Sequence, residues 1–143
     1  MGYTIDELQI GQKASFEKTI TETDIYLFAG VTGDINPAHV NERYASNTFF
    51  KGRIAHGMLS AGLVSAVLGM QLPGPGTIYM GQTLSFTAPV HAGDTIKAIA
   101  EVEELNREKN IVKLKTICEN QDGIIVLKGE ATVKAPKVKN VLS

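Results

Sequence analysis

The chain has 143 residues, a formal net charge of −1 and a hydrophobic content of 43%. This length suggests a single domain over residues 1–143 that is large enough to bury a core. The nearly balanced charge, without a basic stripe, argues against nucleic-acid binding. The lone cysteine, Cys118, excludes an internal disulfide and a thiolate cluster for zinc or iron–sulfur.

Two further features bear on location and metal binding. Residues 1–10 contain Asp6 and Glu7 and have no apolar signal core, so we expect a cytoplasmic protein. The three histidines, at positions 39, 56 and 91, have scattered spacings that do not form a metal-ligand set. No metal site is therefore predicted.

The first predicted elements lie before residue 33. Lys13–Ile20 alternates loosely between polar and apolar residues and predicts a strand. Thr21, with Asp24 three positions later, resembles a capping box and predicts the start of a helix. This helix is expected to end between Gly30 and Gly33.

The segment Gly33–His39 reads Gly-Asp-Ile-Asn-Pro-Ala-His and places a carboxylate and an imidazole five positions apart. Five positions is not a helical-neighbour spacing, and Pro37 biases Asn36 away from helical geometry. We therefore expect a turn that directs Asp34 and His39 into one pocket, where such a pair can move protons near neutral pH. The same residue types are also common in turns for conformational reasons alone, and Asp34 or Asn36 would suit a helix cap.

A long apolar helix is predicted over His56–Leu72, after a short helical turn at Val40–Ser46 and a loop at Thr48–Ala55. The chain has no charged residue between Arg53 and Asp94. Apolar side chains all round the helix predict burial on most sides, while its interspersed polar residues argue against a membrane span. The Pro-Gly-Pro-Gly run at residues 73–76 ends the helix.

The rest of the chain is typical of strands. We expect them at Thr77–Pro89, Thr95–Leu105, Asn110–Glu119 and Ile124–Lys134, with a hairpin signal at residues 122–123. A helical segment followed by about four consecutive antiparallel strands predicts an α+β fold, in which the strands surround the central helix.

The start of the central helix is a second candidate for chemistry. The first N–H groups of a helix are unpaired and lie at its positive end, and Gly57 has no side chain to shield its amide. That amide is suited to stabilising negative charge on a carbonyl oxygen, although Gly57 would equally permit tight packing. Ser65, about two turns further along, would either bond back to a helix carbonyl or reach a substrate.

These motifs together resemble a known family. Phe28–Ala45, with Gly33–His39 at its centre, is similar to the signature of (R)-specific enoyl-CoA hydratases, which belong to the MaoC-like, hotdog-fold group. The resemblance continues through His-Gly-Met-Leu at 56–59, Gln-Leu-Pro-Gly at 71–74, Gly-Gln-Thr-Leu-Ser-Phe at 81–86 and Pro-Val at 89–90. It covers nearly the whole chain in order and extends to small bacterial hydratases of the PhaJ type.

The resemblance implies a fold, a reaction and roles for individual residues. The fold is the hotdog, a long helix wrapped by an antiparallel sheet, in a homodimer. The reaction is reversible hydration of trans-2-enoyl-CoA to (R)-3-hydroxyacyl-CoA, in fatty acid or polyhydroxyalkanoate metabolism, with coenzyme A as part of the substrate and no cofactor. Asp34 and His39 match the catalytic pair, Gly57 the oxyanion donor and Ser65 a position lining the acyl pocket. Asn36 would hold the turn, and its alternative role is to bind substrate in the site.

Three other functions stay open. A dehydratase of 3-hydroxyacyl groups on acyl carrier protein would use the same machinery, but it would usually show a basic docking patch, and none is clear. A hotdog thioesterase would resemble many relatives in carrying a carboxylate on the central helix, and Gly57–Leu72 contains none. A non-catalytic acyl-CoA binding module would not require an intact pair of titrating residues.

Overall fold

The structure, a computed structural model, describes residues 2–137. After a short 3₁₀ turn at Ile5–Glu7, the elements in chain order are β1 (Lys13–Thr19), α1 (Glu22–Thr32), α2 (Pro37–Val40), α3 (Glu42–Ser46), α4 (Gly57–Met70), β2 (Ile78–Gln82), β3 (Ser85–Phe86), β4 (Thr95–Asn106), β5 (Ile111–Glu119) and β6 (Ile125–Lys134).

The strands form one antiparallel sheet in the order β1-β4-β5-β6-β2, and β3 also pairs with β6. Helix α4 packs against β1, β4, β5, β6 and β2, so the sheet wraps around it. The predicted α+β architecture with a central helix is confirmed. Within residues 2–137, five strands follow α4, where about four were predicted.

The core lies between α4 and the concave face of the sheet. Burial alternates along β4 and β5, so every second side chain points at the helix. The helix contributes Leu63, Val64, Val67 and Leu68 to the same cluster. Cys118 of β5 is fully buried there, and burial raises the pKa of its thiol to about 12.

Helix α1 starts at the predicted capping box. The Thr21 side chain accepts a hydrogen bond from the Asp24 N–H at 3.1 Å, and the Asp24 carboxylate accepts one from the Thr21 N–H at 2.9 Å. Lys18 of β1 also donates to this carboxylate at 2.6 Å. The hydrogen bond from Lys18 is the main cause that holds the pKa of Asp24 below its usual value.

The helical turn predicted over Val40–Ser46 is present as α3, but a second short helix, α2, precedes it and the two meet at Asn41. This residue has an extended backbone (φ −125°, ψ 100°) that breaks the helix. Its side chain then caps α3 by accepting a hydrogen bond from the Tyr44 N–H at 3.0 Å.

Helix α4 is shorter than predicted and buried on one side only. It spans Gly57–Met70, because His56 has extended geometry at the N-cap and Gln71 leaves the helix at the C-cap. The expectation of burial on most sides is wrong: one face is exposed, and it consists mainly of small residues and the two methionines. These residues are Met58, Gly62, Ser65, Gly69 and Met70. None of the helices within residues 2–137 combines the length and apolar character needed to cross a bilayer.

The strand predicted over Thr77–Pro89 is interrupted. Both β2 and β3 pair with β6, but between them the Thr83 hydroxyl accepts a hydrogen bond from the Glu130 N–H at 2.9 Å. The chain also passes close to β6 here, since a Cβ on Gly129 would lie 1.8 Å from the Thr83 carbonyl oxygen. This local contact separates β2 from β3.

Candidate active site

The loop that carries Asp34 is fixed by the end of α1 and the start of α2. Gly33 ends α1 in the left-handed region at φ +80°, which suits glycine. The Asn36 side chain caps α2 by accepting a hydrogen bond from the Ala38 N–H at 3.0 Å, and Pro37 opens that helix. Asn36 thus holds the turn, and the exposed Asp34 carboxylate accepts from the Asn36 N–H at 3.3 Å.

His39 lies on α2 and is half-buried. Its Nδ1 is 2.7 Å from the carbonyl oxygen of Ile54. Because a carbonyl only accepts, Nδ1 carries the hydrogen, and in the neutral ring Nε2 is the atom that accepts a proton or a hydrogen bond. The Ile54 N–H in turn donates to the Ala38 oxygen at 3.1 Å, so the loop before α4 is tied to α2.

A third side chain, His56, joins this pair. Asp34, His39 and His56 each place a potential donor or acceptor atom within 4.8 Å of the others. The tertiary fold therefore brings Asp34 and His39 together, as the turn was expected to do. His56 was not predicted to belong to the site, although a histidine at the start of a very apolar helix was a signal in its favour.

The geometry of the two imidazoles does not suit a shared metal ion. The rings of His39 and His56 are stacked, with centroids 3.8 Å apart and an interplanar angle of 29°. Ring-nitrogen lone pairs lie in the ring planes, so in stacked rings they run side by side and do not converge on one ion. Acid–base chemistry, which needs no such convergence, fits this arrangement better.

A cavity of about 450 Å³ opens beside these residues. Asp34, His39, His56 and Gly57 contribute to its wall, and most of the remaining lining is apolar. That apolar lining includes Phe49, Phe50, Ile54, Met58, Phe86, Val90 and Val126. The volume and the apolar wall with a few convergent polar groups are typical of a small-molecule site.

Gly57 is the first residue of α4, and no side chain caps this end of the helix. Its amide therefore belongs to the unpaired, electropositive first turn and borders the cavity. A Cβ at this position would lie 2.6 Å from two ring atoms of Phe86. Glycine thus serves both purposes considered from the sequence, close packing and an accessible amide.

Ser65 is placed differently. It lies on the exposed face of α4 and does not line the cavity that contains Asp34 and His39. Within this single chain, the predicted acyl-pocket position is therefore separate from the acid–base pair.

An ion-pair network supports the loop before α4. Arg53 pairs with Glu22 of α1 and with Glu42 of α3, the latter at 3.2 Å, and donates to the Tyr26 hydroxyl at 2.9 Å. A hydrogen bond from the Arg53 backbone N–H is the main cause that lowers the pKa of Glu42. This network connects three segments around the cavity and leaves Arg53 engaged within the protein.

A long helix wrapped by an antiparallel sheet is the hotdog fold, and in this protein an acid–histidine pair lies beside the N-terminus of that helix. The MaoC like domain family matches residues 7–122, and the chain belongs to this family. It is 57% identical over 131 residues to the (R)-specific enoyl-CoA hydratase of Rhodospirillum rubrum, covering 92% of this chain and 90% of that protein.

Solved structures agree with this assignment. The unliganded R-hydratase PhaJ1 from Pseudomonas aeruginosa superposes with a TM-score of 0.91 at 50% identity, covering 96% of this chain and 88% of that one. The (R)-hydratase from Aeromonas caviae, described as involved in PHA biosynthesis, gives a TM-score of 0.87 at 44% identity, covering 90% of this chain and 98% of that one. Both confirm the predicted hotdog fold.

Proposed function

We propose that this protein is an (R)-specific enoyl-CoA hydratase, which adds water reversibly to trans-2-enoyl-CoA to give (R)-3-hydroxyacyl-CoA. The observation that carries the proposal is the meeting of Asp34 and His39 beside the Gly57 amide on a largely apolar cavity. The similarity to named (R)-hydratases over most of both chains supports the same reaction.

The geometry suggests how the reaction proceeds. A water molecule held between the Asp34 carboxylate and the free Nε2 of His39 loses a proton as its oxygen attacks C3 of the enoyl group. The electron pair moves towards the thioester carbonyl, whose growing negative charge is stabilised by the Gly57 N–H. A proton delivered to C2 by the same pair completes the hydration, and the reverse sequence releases water. Either member of the pair can take the first proton.

The proposed reaction needs neither a metal nor a redox cofactor, because the oxyanion donor and the acid–base pair supply its polar requirements. Coenzyme A enters as part of the substrate. The apolar cavity wall would exclude bulk water from the enoyl chain and strengthen the electrostatic contacts there. We place the enzyme in the cytoplasm, serving fatty acid or polyhydroxyalkanoate metabolism.

We further propose that the enzyme acts as a homodimer through the exposed face of α4. Gly62 and Gly69 open into space, since a Cβ on either meets nothing within 4 Å, and Met58 and Met70 on the same face are 54% and 72% exposed. A contiguous apolar face of this kind usually marks an interaction site. Ser65 lies on it, so its proposed acyl-lining role would require the acyl chain to extend from the cavity along α4.

The dimer is tested by placing a charge on this face. The Gly62→Arg variant should sediment with the mass of one 15.4 kDa chain, whereas the unaltered protein should have twice that mass. The helix itself should persist, because arginine is a better helix former than glycine. Asp122→Arg, on the exposed β5–β6 loop, is the control and should keep the mass of the unaltered protein. Retention of that mass by Gly62→Arg would place the interface elsewhere.

The function is tested with crotonyl-CoA, whose loss of absorbance on hydration gives the rate. Coupling to an (R)-specific 3-hydroxyacyl-CoA dehydrogenase should convert the product fully, and an (S)-specific dehydrogenase should give no conversion. Crotonyl groups on acyl carrier protein form the second arm of the experiment. A higher kcat/KM for the substrate on acyl carrier protein would identify the protein as a dehydratase of 3-hydroxyacyl groups on that carrier. No turnover of either substrate would identify it as a non-catalytic acyl-CoA binding module.

A further inference from the structure

The least solvent-accessible member of the cluster is His56, which is 2% exposed. It occupies the N-cap of α4, directly before Gly57, and its side chain does not cap the helix. Its ring is packed between two others: the Phe28 centroid is 4.7 Å away with a tilt of 49°, and the His39 centroid is 3.8 Å away in a stacked arrangement. The ring is therefore enclosed by its neighbours and shielded from the solvent.

One hydrogen bond of His56 ends on the loop that carries the predicted acid. Its Nε2 is 2.8 Å from the backbone oxygen of Asp34. Since that oxygen can only accept, Nε2 must carry the hydrogen, which fixes the tautomer. The bond anchors the Asp34 backbone to the start of α4, although the Asp34 carboxylate itself is exposed.

In the part of the chain that the structure describes, the other ring nitrogen of His56 is neither solvated nor hydrogen-bonded, so a polar side chain at this position needs a different explanation. Its Nδ1 is buried and has no hydrogen-bond partner among residues 2–137. Leaving a buried polar atom unpaired costs free energy, so an apolar ring would be the more stable choice if packing were the only requirement. What phenylalanine would lack at this position is the N–H that holds Asp34.

We propose that His56 is a positioning residue, which aligns Asp34 through the Nε2–H bond and His39 through ring stacking, with both held against the Gly57 amide. The inference rests on the proposed hydratase function for its kinetic consequences. Small displacements of reacting groups can lower rates by about 10²-fold, so this alignment is worth testing directly.

Two variants separate the contributions. His56→Phe keeps an aromatic ring for stacking and removes the donor, whereas His56→Gln keeps an amide N–H at a similar reach and removes the ring. For crotonyl-CoA, His56→Phe should lower kcat about 10- to 100-fold and leave KM within about threefold. His56→Gln should recover part of that loss. His91→Gln, at a half-buried histidine outside the site, should match the unaltered enzyme.

Nitrogen-15 NMR of labelled imidazoles gives a readout that does not depend on turnover. In the unaltered protein, the Nε2 signal of His56 should show a directly bonded proton and the Nδ1 signal should show none. In the His56→Phe variant, the imidazole signals of His39 should shift. A His56 protonated at Nδ1 alone, or a kcat of His56→Phe within twofold of the unaltered value, would overturn the positioning role. Absence of hydration by the unaltered protein together with the expected NMR pattern would count against the proposed function and support the alignment.

Discussion

Replacing Asp34 by Asn should lower kcat for crotonyl-CoA hydration by about 10³-fold, and replacing His39 by Gln should do the same. The physical reason is that each substitution removes a group able to take up and release a proton while keeping a side chain of similar size. The Asp34 side chain is exposed and His39 is half-buried, so neither change removes a large part of the core. Stopped-flow or steady-state absorbance measurements of hydration give the rate.

The controls use the same substitutions elsewhere. Asp122→Asn and His91→Gln should retain the rate of the unaltered enzyme, because neither residue borders the cavity. Thermal unfolding followed by circular dichroism should show that all four variants are folded. Turnover of Asp34→Asn or His39→Gln within tenfold of normal would remove that residue from the acid–base pair.

Replacing Ile25 by Ala should lower the free energy of unfolding by about 2–5 kcal/mol. Ile25 is 1% exposed and belongs to the main hydrophobic cluster, and Ala29 is the other buried residue of α1. Truncation at Ile25 therefore removes the larger of the two buried side chains of α1, the helix that leads into the Asp34 loop. Urea unfolding at one fixed protein concentration, to hold any dimer contribution constant, measures the change.

Leu27, on the same helix, supplies the matched control. It is 61% exposed, so Leu27→Ala should change the free energy of unfolding by no more than about 0.5 kcal/mol. Equal losses for the two variants would mean that the exposed side of α1 is covered in the assembled protein. A loss below about 1 kcal/mol for Ile25→Ala would show that α1 contributes little to stability.

The features that sequence reasoning predicted correctly depend on near neighbours in the chain. The capping box at Thr21 and Asp24, the glycine end of α1 and the Asn36–Pro37 break each involve residues within four positions of one another. Their conformations follow from local sterics and short hydrogen bonds. The alternation of β4 and β5 was equally readable, because period-two burial follows from strand geometry.

The features that were missed depend on residues distant in the chain. The break between β2 and β3 arises where Thr83 meets Glu130, 47 positions away. The one-sided burial of α4 follows from how far the sheet wraps around it, and composition alone cannot give that extent. His56 is assigned to the site because its ring meets His39 and its Nε2 meets the Asp34 oxygen, 22 positions away.

By itself, the sequence determined that Asp34 and His39 flank a turn, that an apolar helix starts around His56 and Gly57, and that strands follow it. Short-range dihedral preferences and hydrophobic periodicity are sufficient for each of these. Only the tertiary structure decided that the turn docks on the first turn of α4, with Asp34, His39 and His56 within 4.8 Å of one another. It also decided that Ser65 lies on an open face. Those outcomes depend on the packing of α1, α2 and the sheet around α4, which is a property of long-range contacts and is absent from any local pattern.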